Sequence, residues 1–305
     1  SHRGEHAEIE TFVGQTVDSE LSGNMIDICP VGALTSKPFR YQARTWELSR
    51  RKSISPHDST GANLIVQVKN HRVLRVVPLE NEAVNECWIA DRDRFSYEAL
   101  NSDERLTQPM LKQGGQWRSV DWQTALEYVA NGLQQIKTDH GAAAIAAVAS
   151  PHCTVEELHL AGALLRGLGS QSIDTRLRAA DYRHAAPAGA ARWLGLPITE
   201  LSTLERVLVI GSNLRKDHPL LAQRIRQAQR RGAQVSALVS EAPDWALPLA
   251  HTLVAEAGRW PLELAGIAAA VAQAQGIASP VPSPEPVSER ACAIAASLLG
   301  GERKA

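Results

Sequence analysis

The sequence has little cysteine. Its 305 residues hold four, at Cys29, Cys87, Cys153 and Cys292. They are scattered, with no CxxC pair, so no disulfide framework of the kind that staples small secreted domains is expected. Reduced thiols in a cytoplasmic setting are the natural reading. Charge of one sign is also lacking: the formal net charge is −1, which gives no bulk basic balance for nucleic acid or anionic membrane. No run reaches the roughly 18 apolar residues of a membrane span. The longest apolar stretches, Gly141–Ala149 and Ala265–Ala272, are short and Ala-rich and read as core. No signal peptide opens the chain, and Ser1–Glu10 reads as mid-protein sequence. The ten histidines show no ligand spacing, and no Ser-His-Asp or paired-carboxylate arrangement stands out.

What is there is length and pattern. A chain of this size supports a sizeable core and two domains. Residues 46–101 read as β-rich. Leu64–Val68 and Val73–Val77 flank Lys69-Asn70-His71-Arg72, a hairpin turn, and Pro78 ends the second strand. Asn101–Gly115 reads as a polar connector. From about residue 120 helices and strands alternate. Asp121 caps a helix to about Lys137, and Ala144–Ala149 is a short strand. Thr154 and Glu157 form a capping box for a helix ending near Gly167. Arg206–Ile210, Gln234–Val239 and His251–Ala255 are strands. Pro219 opens a helix that stops at Gly232, and a last helix covers Glu289–Leu299. The prolines of Ser279–Ser288 mark a linker or surface loop. No strand is expected after the last helix. The fold class is α/β: a small β-rich domain, then a domain of right-handed βαβ units on a parallel sheet.

The first chemical signal is Cys29-Pro30. A cysteine followed by proline is how the last ligand of a ferredoxin-type cluster motif usually stands, and it is also how a buried structural cysteine can stand. A [4Fe–4S] cluster needs four thiolates, and no other three lie nearby. The longer string Gly23–Thr35, with Thr16–Ser22 before it, resembles the segment that closes a tetranuclear cluster site in the large iron–sulfur (G) subunits of NADH–quinone oxidoreductase, respiratory complex I. The resemblance implies that Cys29 is the fourth ligand of that cluster. Its three partners would lie upstream, so these 305 residues would not hold the cluster alone. Some bacterial members carry another cluster in the next domain. There the ligand positions fall on Ser55, Asp58, Ala62 and Ala90, just before Asp91-Arg92-Asp93-Arg94-Phe95, which also matches the family. Those residues are not the thiolates such a cluster needs. That cluster is expected to be absent, and Cys87 to be incidental. His57-Asp58 is a weak two-group metal candidate.

The βαβ region resembles the molybdopterin-oxidoreductase superfamily. In active members the loop equivalent to Gly211-Ser212-Asn213 contacts the nucleotide end of the pterin. A Gly-Ser-Asn after a strand is also simply how a βα turn is built. Glu156–Leu158 and Leu168–Asp174 match the superfamily, but the molybdenum-ligand position reads Ala180, followed by Asp181, and alanine has no ligand atom. No molybdopterin is therefore expected. Arg176, Arg178, Arg183 and His184 could form an anion patch or a solvated face. Gly167-Leu168-Gly169 is not a dinucleotide fingerprint. Cys153 and Cys292 read as core thiols.

The resemblance implies three parts: 1–45, the end of a ferredoxin-like cluster region; 46–101, a β-rich domain that has lost its cluster; and 102–305, a truncated molybdopterin-oxidoreductase-like domain. The implied role is electron transfer and scaffolding within complex I, from NADH through Fe–S clusters toward quinone, with the 305 residues alone inactive. Partners would be the other hydrophilic-arm subunits at the cytoplasmic face of the inner membrane, with no nucleic acid and no direct membrane insertion. The alternative is a molybdopterin-dependent oxidoreductase such as a formate dehydrogenase.

Overall fold

The computed structural model describes residues 14–175, 193–282 and 286–305. Ala180 and Asp181, and the Arg176, Arg178, Arg183 and His184 cluster, lie outside the described residues. The chain divides into two compact units, residues 1–98 with 193–305 and residues 99–192.

The first unit opens with a single-turn helix, α1 (Asn24–Ile28), that ends at Cys29. Strands β1 (Ser49–Ile54), β2 (Asn63–Lys69) and β3 (Arg72–Pro78) form an antiparallel sheet with β2 in the centre. The expected hairpin is present: Asn70 and His71 both take positive φ, 50° and 60°. That is the type I′ signature, whose twist matches the strands it joins. β1 shows no period-2 pattern because all six of its residues are exposed. Leu64 and Val76 pack with Ile89 and Tyr97 in a small core. Helix α2 (Asp91–Phe95) follows.

In the second unit the expected connector contains a hairpin, β4 (Met110–Gln113) with β5 (Gln116–Ser119). Gly114 and Gly115, at φ 55° and 79°, turn it, and the Gly-Gly pair was the local signal. Asp121 caps α3 (Trp122–His140) by accepting the Thr124 N–H at 2.8 Å. The strand expected at Ala144–Ala149 shrinks to β6 (Ala147–Val148), since Ala142–Ala144 forms a 3₁₀ turn. Of Gly141–Ala149 only Ile145 is buried, so within this unit that stretch is not core. The Thr154–Glu157 capping box opens α4 (Val155–Leu168), and Gly169 closes it in the left-handed region. β7 (Ile173–Asp174) pairs in parallel with β6.

The first unit resumes with β8 (Arg206–Ile210), α5 (Leu214–Asp217), α6 (Pro219–Arg230), β9 (Gln234–Val239), β10 (His251–Val254), α7 (Trp260–Gln275) and α8 (Glu289–Leu299). β8, β9 and β10 form a parallel sheet with β9 central. β9 is buried on both faces. Val235, Ala237 and Val239 meet Ala222 and Ile225 of α6, while Leu238 meets Ile267 of α7 and Ile294 of α8. Both faces covered is the condition parallel sheets need. Beyond the last helix, residues 303–305 run parallel along the outer edge of β8, with Lys304 bridging Arg206 and the Leu208 N–H donating to the Ala305 carbonyl at 2.9 Å. No apolar run there signals this pairing in advance. Cys292 is exposed and Cys153 half-buried, so neither is a core thiol. α8 turns Ala291, Ile294 and Ala295 inward, and Cys292 falls on the other side.

Candidate functional site

Cys29 caps the carboxyl end of α1, half-buried, with its backbone already extended. The next residues curl back on it. The Leu34 N–H reaches Sγ at 3.5 Å. Together with the N–H groups of Val31, Ala33 and Gly32, it holds the thiol below its ordinary pKa, against the opposing pull of burial. Gly32, at φ 66°, makes the curl possible. N–H donors facing a sulfur favour its thiolate form, the form that binds metal. Cys29 fits the role of a cluster ligand. No group of three or more metal-binding side chains occurs among the described residues.

The four positions where the resemblance would look for a second cluster lie on the β2 side of the same unit. Ala62 and Ala90 are fully buried, and the Ser55 N–H donates to the Ala62 carbonyl at 2.8 Å. Ser55 Oγ donates to Asp93 at 2.5 Å, and Arg92 Nη2 pairs with Asp58 at 2.6 Å. Burial pushes the Asp93 carboxyl up, while the Ser55 hydrogen bond opposes this. Asp93 Oδ2 and Thr60 Oγ1 are buried without a partner. His57 Nε2 lies 2.8 Å from Ser96 Oγ, and Asp58 is held by Arg92, so the two do not converge on a metal. Cys87 is exposed overall, yet partial desolvation of its sulfur, with the nearby Glu86 carboxylate, raises its thiol above the ordinary value.

Helix α2 sends four successive side chains to four places. Asp91 accepts from Ser22 and Gly23. Arg92 joins Asp58 to the Lys216 and Asp217 carbonyls. Asp93 meets Ser55, and Arg94 pairs with Asp27. The sequence pattern did not reveal these roles. Neighbours one apart on a helix do not face each other, so an alternating acid–base run must find its partners elsewhere. That was the available signal.

The loop after β8 opens into a crevice of about 370 Å³ at the carboxyl ends of β8 and β9, the usual ligand position of an open α/β sheet. Gly211 (φ 67°) faces the Trp260 ring so closely that a Cβ there would sit 2.5 Å from it. Arg215 is 11% exposed and already committed: Nε lies 2.5 Å from Glu20, Nη2 2.8 Å from Asp18, and Nη1 3.1 Å from Asp244. Glu20, foremost, raises the Arg215 pKa. Burial works to raise the Glu20 carboxyl, but hydrogen bonds from Lys216 and Arg215 outweigh it and lower its pKa. Asp18, Glu241 and Asp244 line the crevice against Arg215 and Lys216. An anionic pyrophosphate would meet more carboxylate than free cation, so these residues do not fit a pterin nucleotide.

Three family models match. Molybdopterin oxidoreductase matches residues 105–273, more than half of the chain. An NADH-ubiquinone oxidoreductase NDSU1/NuoG-like 4Fe-4S domain matches 48–98, and an NADH-quinone oxidoreductase subunit 3 ferredoxin-like domain matches 1–35. The chain is 38% identical over 240 residues to the G subunit of NADH-quinone oxidoreductase from Rickettsia felis, a match that covers 79% of the chain and 35% of that protein. It is 36% identical to the NADH-ubiquinone oxidoreductase 75 kDa subunit of Reclinomonas americana, covering 75% of the chain and 34% of the relative. It is 44% identical to a mitochondrial NADH dehydrogenase [ubiquinone] iron-sulfur protein 1 of Solanum tuberosum, over 56% of the chain and 23% of the relative. The chain thus spans about a third of the length of the first of these curated relatives. In structure it resembles acetylene hydratase from Pelobacter acetylenicus, with a TM-score of 0.55 at 13% identity over 74% of the chain and 32% of that enzyme. That likeness speaks to fold alone.

Proposed function

The chain belongs to the molybdopterin oxidoreductase family, and on that premise we propose that it is part of an electron-transfer and scaffold subunit of an NADH–quinone oxidoreductase. The observation that carries this reading is the Cys29 thiol under its backbone N–H groups, in a segment matching a ferredoxin-like domain of that complex. Cys29 is one ligand of a [4Fe–4S] cluster, and the other three thiolates come from sequence outside these 305 residues. When bound, such a cluster carries single electrons between donors and acceptors. The chain's own contribution is to favour the ligand's thiolate form and to fix its place.

The reading divides the chain at 1–45, 46–101 and 102–305, as the end of the cluster region, a β-rich domain without its own cluster, and an α/β scaffold. Ser55, Asp58, Ala62 and Ala90 offer that second domain no thiolate, and Ser55 and Asp58 are engaged with Asp93 and Arg92 instead. The α/β part acts as a docking scaffold. The alternative, a molybdopterin-dependent oxidoreductase such as a formate dehydrogenase, is disfavoured by the paired cations and the surplus carboxylate of the crevice. Among the described residues no helix is long and apolar enough to cross a membrane. The electron-transfer reading places the subunit at the cytoplasmic face of the inner membrane, beside other hydrophilic-arm subunits.

The test is the iron, acid-labile sulfide and molybdenum content of this chain and of a version extended upstream of Ser1. The expected result is a metal-free short chain and a longer one that gains iron and sulfide, with the gain weakened by Cys29→Ala. Molybdenum in the short chain would restore the alternative.

A further inference from the structure

Helix α1 carries the chain into Cys29, yet Asn24 is its one buried residue. Of its apolar side chains Met25 and Ile26 are half-buried and Ile28 is exposed. The hydrogen bonds and ion pair that grip its two ends come from α2. Asp91 holds the leading end: Oδ1 accepts the Gly23 N–H at 2.7 Å and Oδ2 accepts the Ser22 hydroxyl at 2.5 Å. Arg94, 3% exposed, holds the trailing end, pairing with Asp27 and reaching Asn24 Oδ1 at 3.2 Å. Asn24 in turn clamps Ile89, donating to its carbonyl at 2.8 Å and accepting its N–H at 3.1 Å. Any side chain at the junction would have to displace Arg94 or Asp91. A Cβ on Gly23 would stand 2.6 Å from Arg94 Cδ and 2.8 Å from Asp91 Oδ1.

We propose that Asp91 and Arg94 are positioning residues for the Cys29 ligand, gripping the two ends of α1 so that Sγ meets its cluster in one orientation. The inference rests on the reading of Cys29 as a ligand. It adds that α2, which follows directly on Ala90, now serves the Cys29 site. Neither side chain touches the sulfur. They act through α1, as outer contacts orient and tune a metal ligand. Loosening the grip changes the direction of the Cys29 thiolate and of the N–H groups around it, and these set a cluster's potential.

The experiment uses the full-length protein assembled with its partner subunits, carrying Asp91→Ala, Asp91→Asn or Cys29→Ala. Iron and acid-labile sulfide are counted, and the electron paramagnetic resonance spectrum and midpoint potential of the reduced cluster are recorded. Asp91→Ala is expected to keep the iron while broadening the signal and shifting the potential. Asp91→Asn still accepts from Gly23 and still reaches Ser22, so it restores the wild-type signal. A wild-type spectrum and potential in Asp91→Ala, with the cluster lost in Cys29→Ala, overturns the positioning role and leaves the ligand reading intact. Full iron and sulfide in Cys29→Ala overturns the ligand reading itself. Should Asp91→Ala not assemble, Ser22→Ala removes one of the two Asp91 contacts. It is expected to give a smaller shift of the same kind, and an unshifted spectrum there overturns the proposal.

Discussion

Arg92 and Asp58 meet at 2.6 Å, and the acid is the buried partner, its side chain 1% exposed against 32% for the arginine. Removing the arginine leaves a buried carboxylate held by the Thr60 N–H, 2.9 Å from Oδ1. Breaking a fully buried pair costs about 3–5 kcal/mol and a surface pair less than about 1. This pair is half open to water, so Arg92→Ala should lower the unfolding free energy by about 2 kcal/mol, read by urea denaturation. A change below about 0.5 kcal/mol would mean that water reaches Asp58.

Asp93 gives the chain a pH dependence of uncommon sign. Burial raises its folded pKa above the ordinary carboxylate value of about 4. Between the two values the folded chain holds more proton than the unfolded one, so this group's contribution to stability falls as pH rises. Asp93→Asn lacks that loss. Its stability relative to the wild type should therefore climb from pH 4 toward pH 7, and a flat difference would show that Asp93 titrates alike in both states. Glu20 works oppositely: its lowered pKa contributes stability above the ordinary value that is lost as pH falls through the folded one.

Gly211→Ala should be costly for two separable reasons. An L-residue at φ 67° is strained by about 1 kcal/mol, and displacing the Trp260 ring adds about 1–3 more. The double variant with Trp260→Ala relieves the second part alone. A double-mutant cycle should show coupling of about 1 kcal/mol or more, and strict additivity would deny the contact.

Thiol chemistry should separate two cysteines. Cys29 is held toward thiolate by the N–H groups of Leu34 and its neighbours, whereas partial desolvation and nearby carboxylates raise the pKa of the Cys87 thiol. Iodoacetamide at neutral pH should modify Cys29 first, with mass spectrometry of peptides as the readout. Equal rates would show that the N–H cradle does not form.

Local signals in the sequence carried much of this fold. Asp121 and the Thr154–Glu157 box start helices where a short polar side chain can cap them. Asn70-His71 turns a hairpin, and the buried strands Arg206–Ile210 and Gln234–Val239 lie where their apolar runs stand. β1 escaped notice because an exposed edge strand needs no apolar alternation. The pairing of residues 303–305 escaped because backbone alone makes it. Cys29 stood out as a proposed ligand through the proline and the string around it. The contacts of Asp91 and Arg94 with α1 and the Arg215 clamp did not stand out, because each joins residues far apart in sequence, and one chain without its fold shows no such pairing.

That distance also orders events during synthesis. The Asp91 contact to Gly23 spans 68 residues, whereas the bond between Arg215 and Glu20 spans 195. At about 5–20 residues per second, the second anchor leaves the ribosome roughly 10–40 s after the segment it will hold. Asp91 emerges well before Arg215, so the stretch leading to Cys29 passes from no anchor to one, and only then to two.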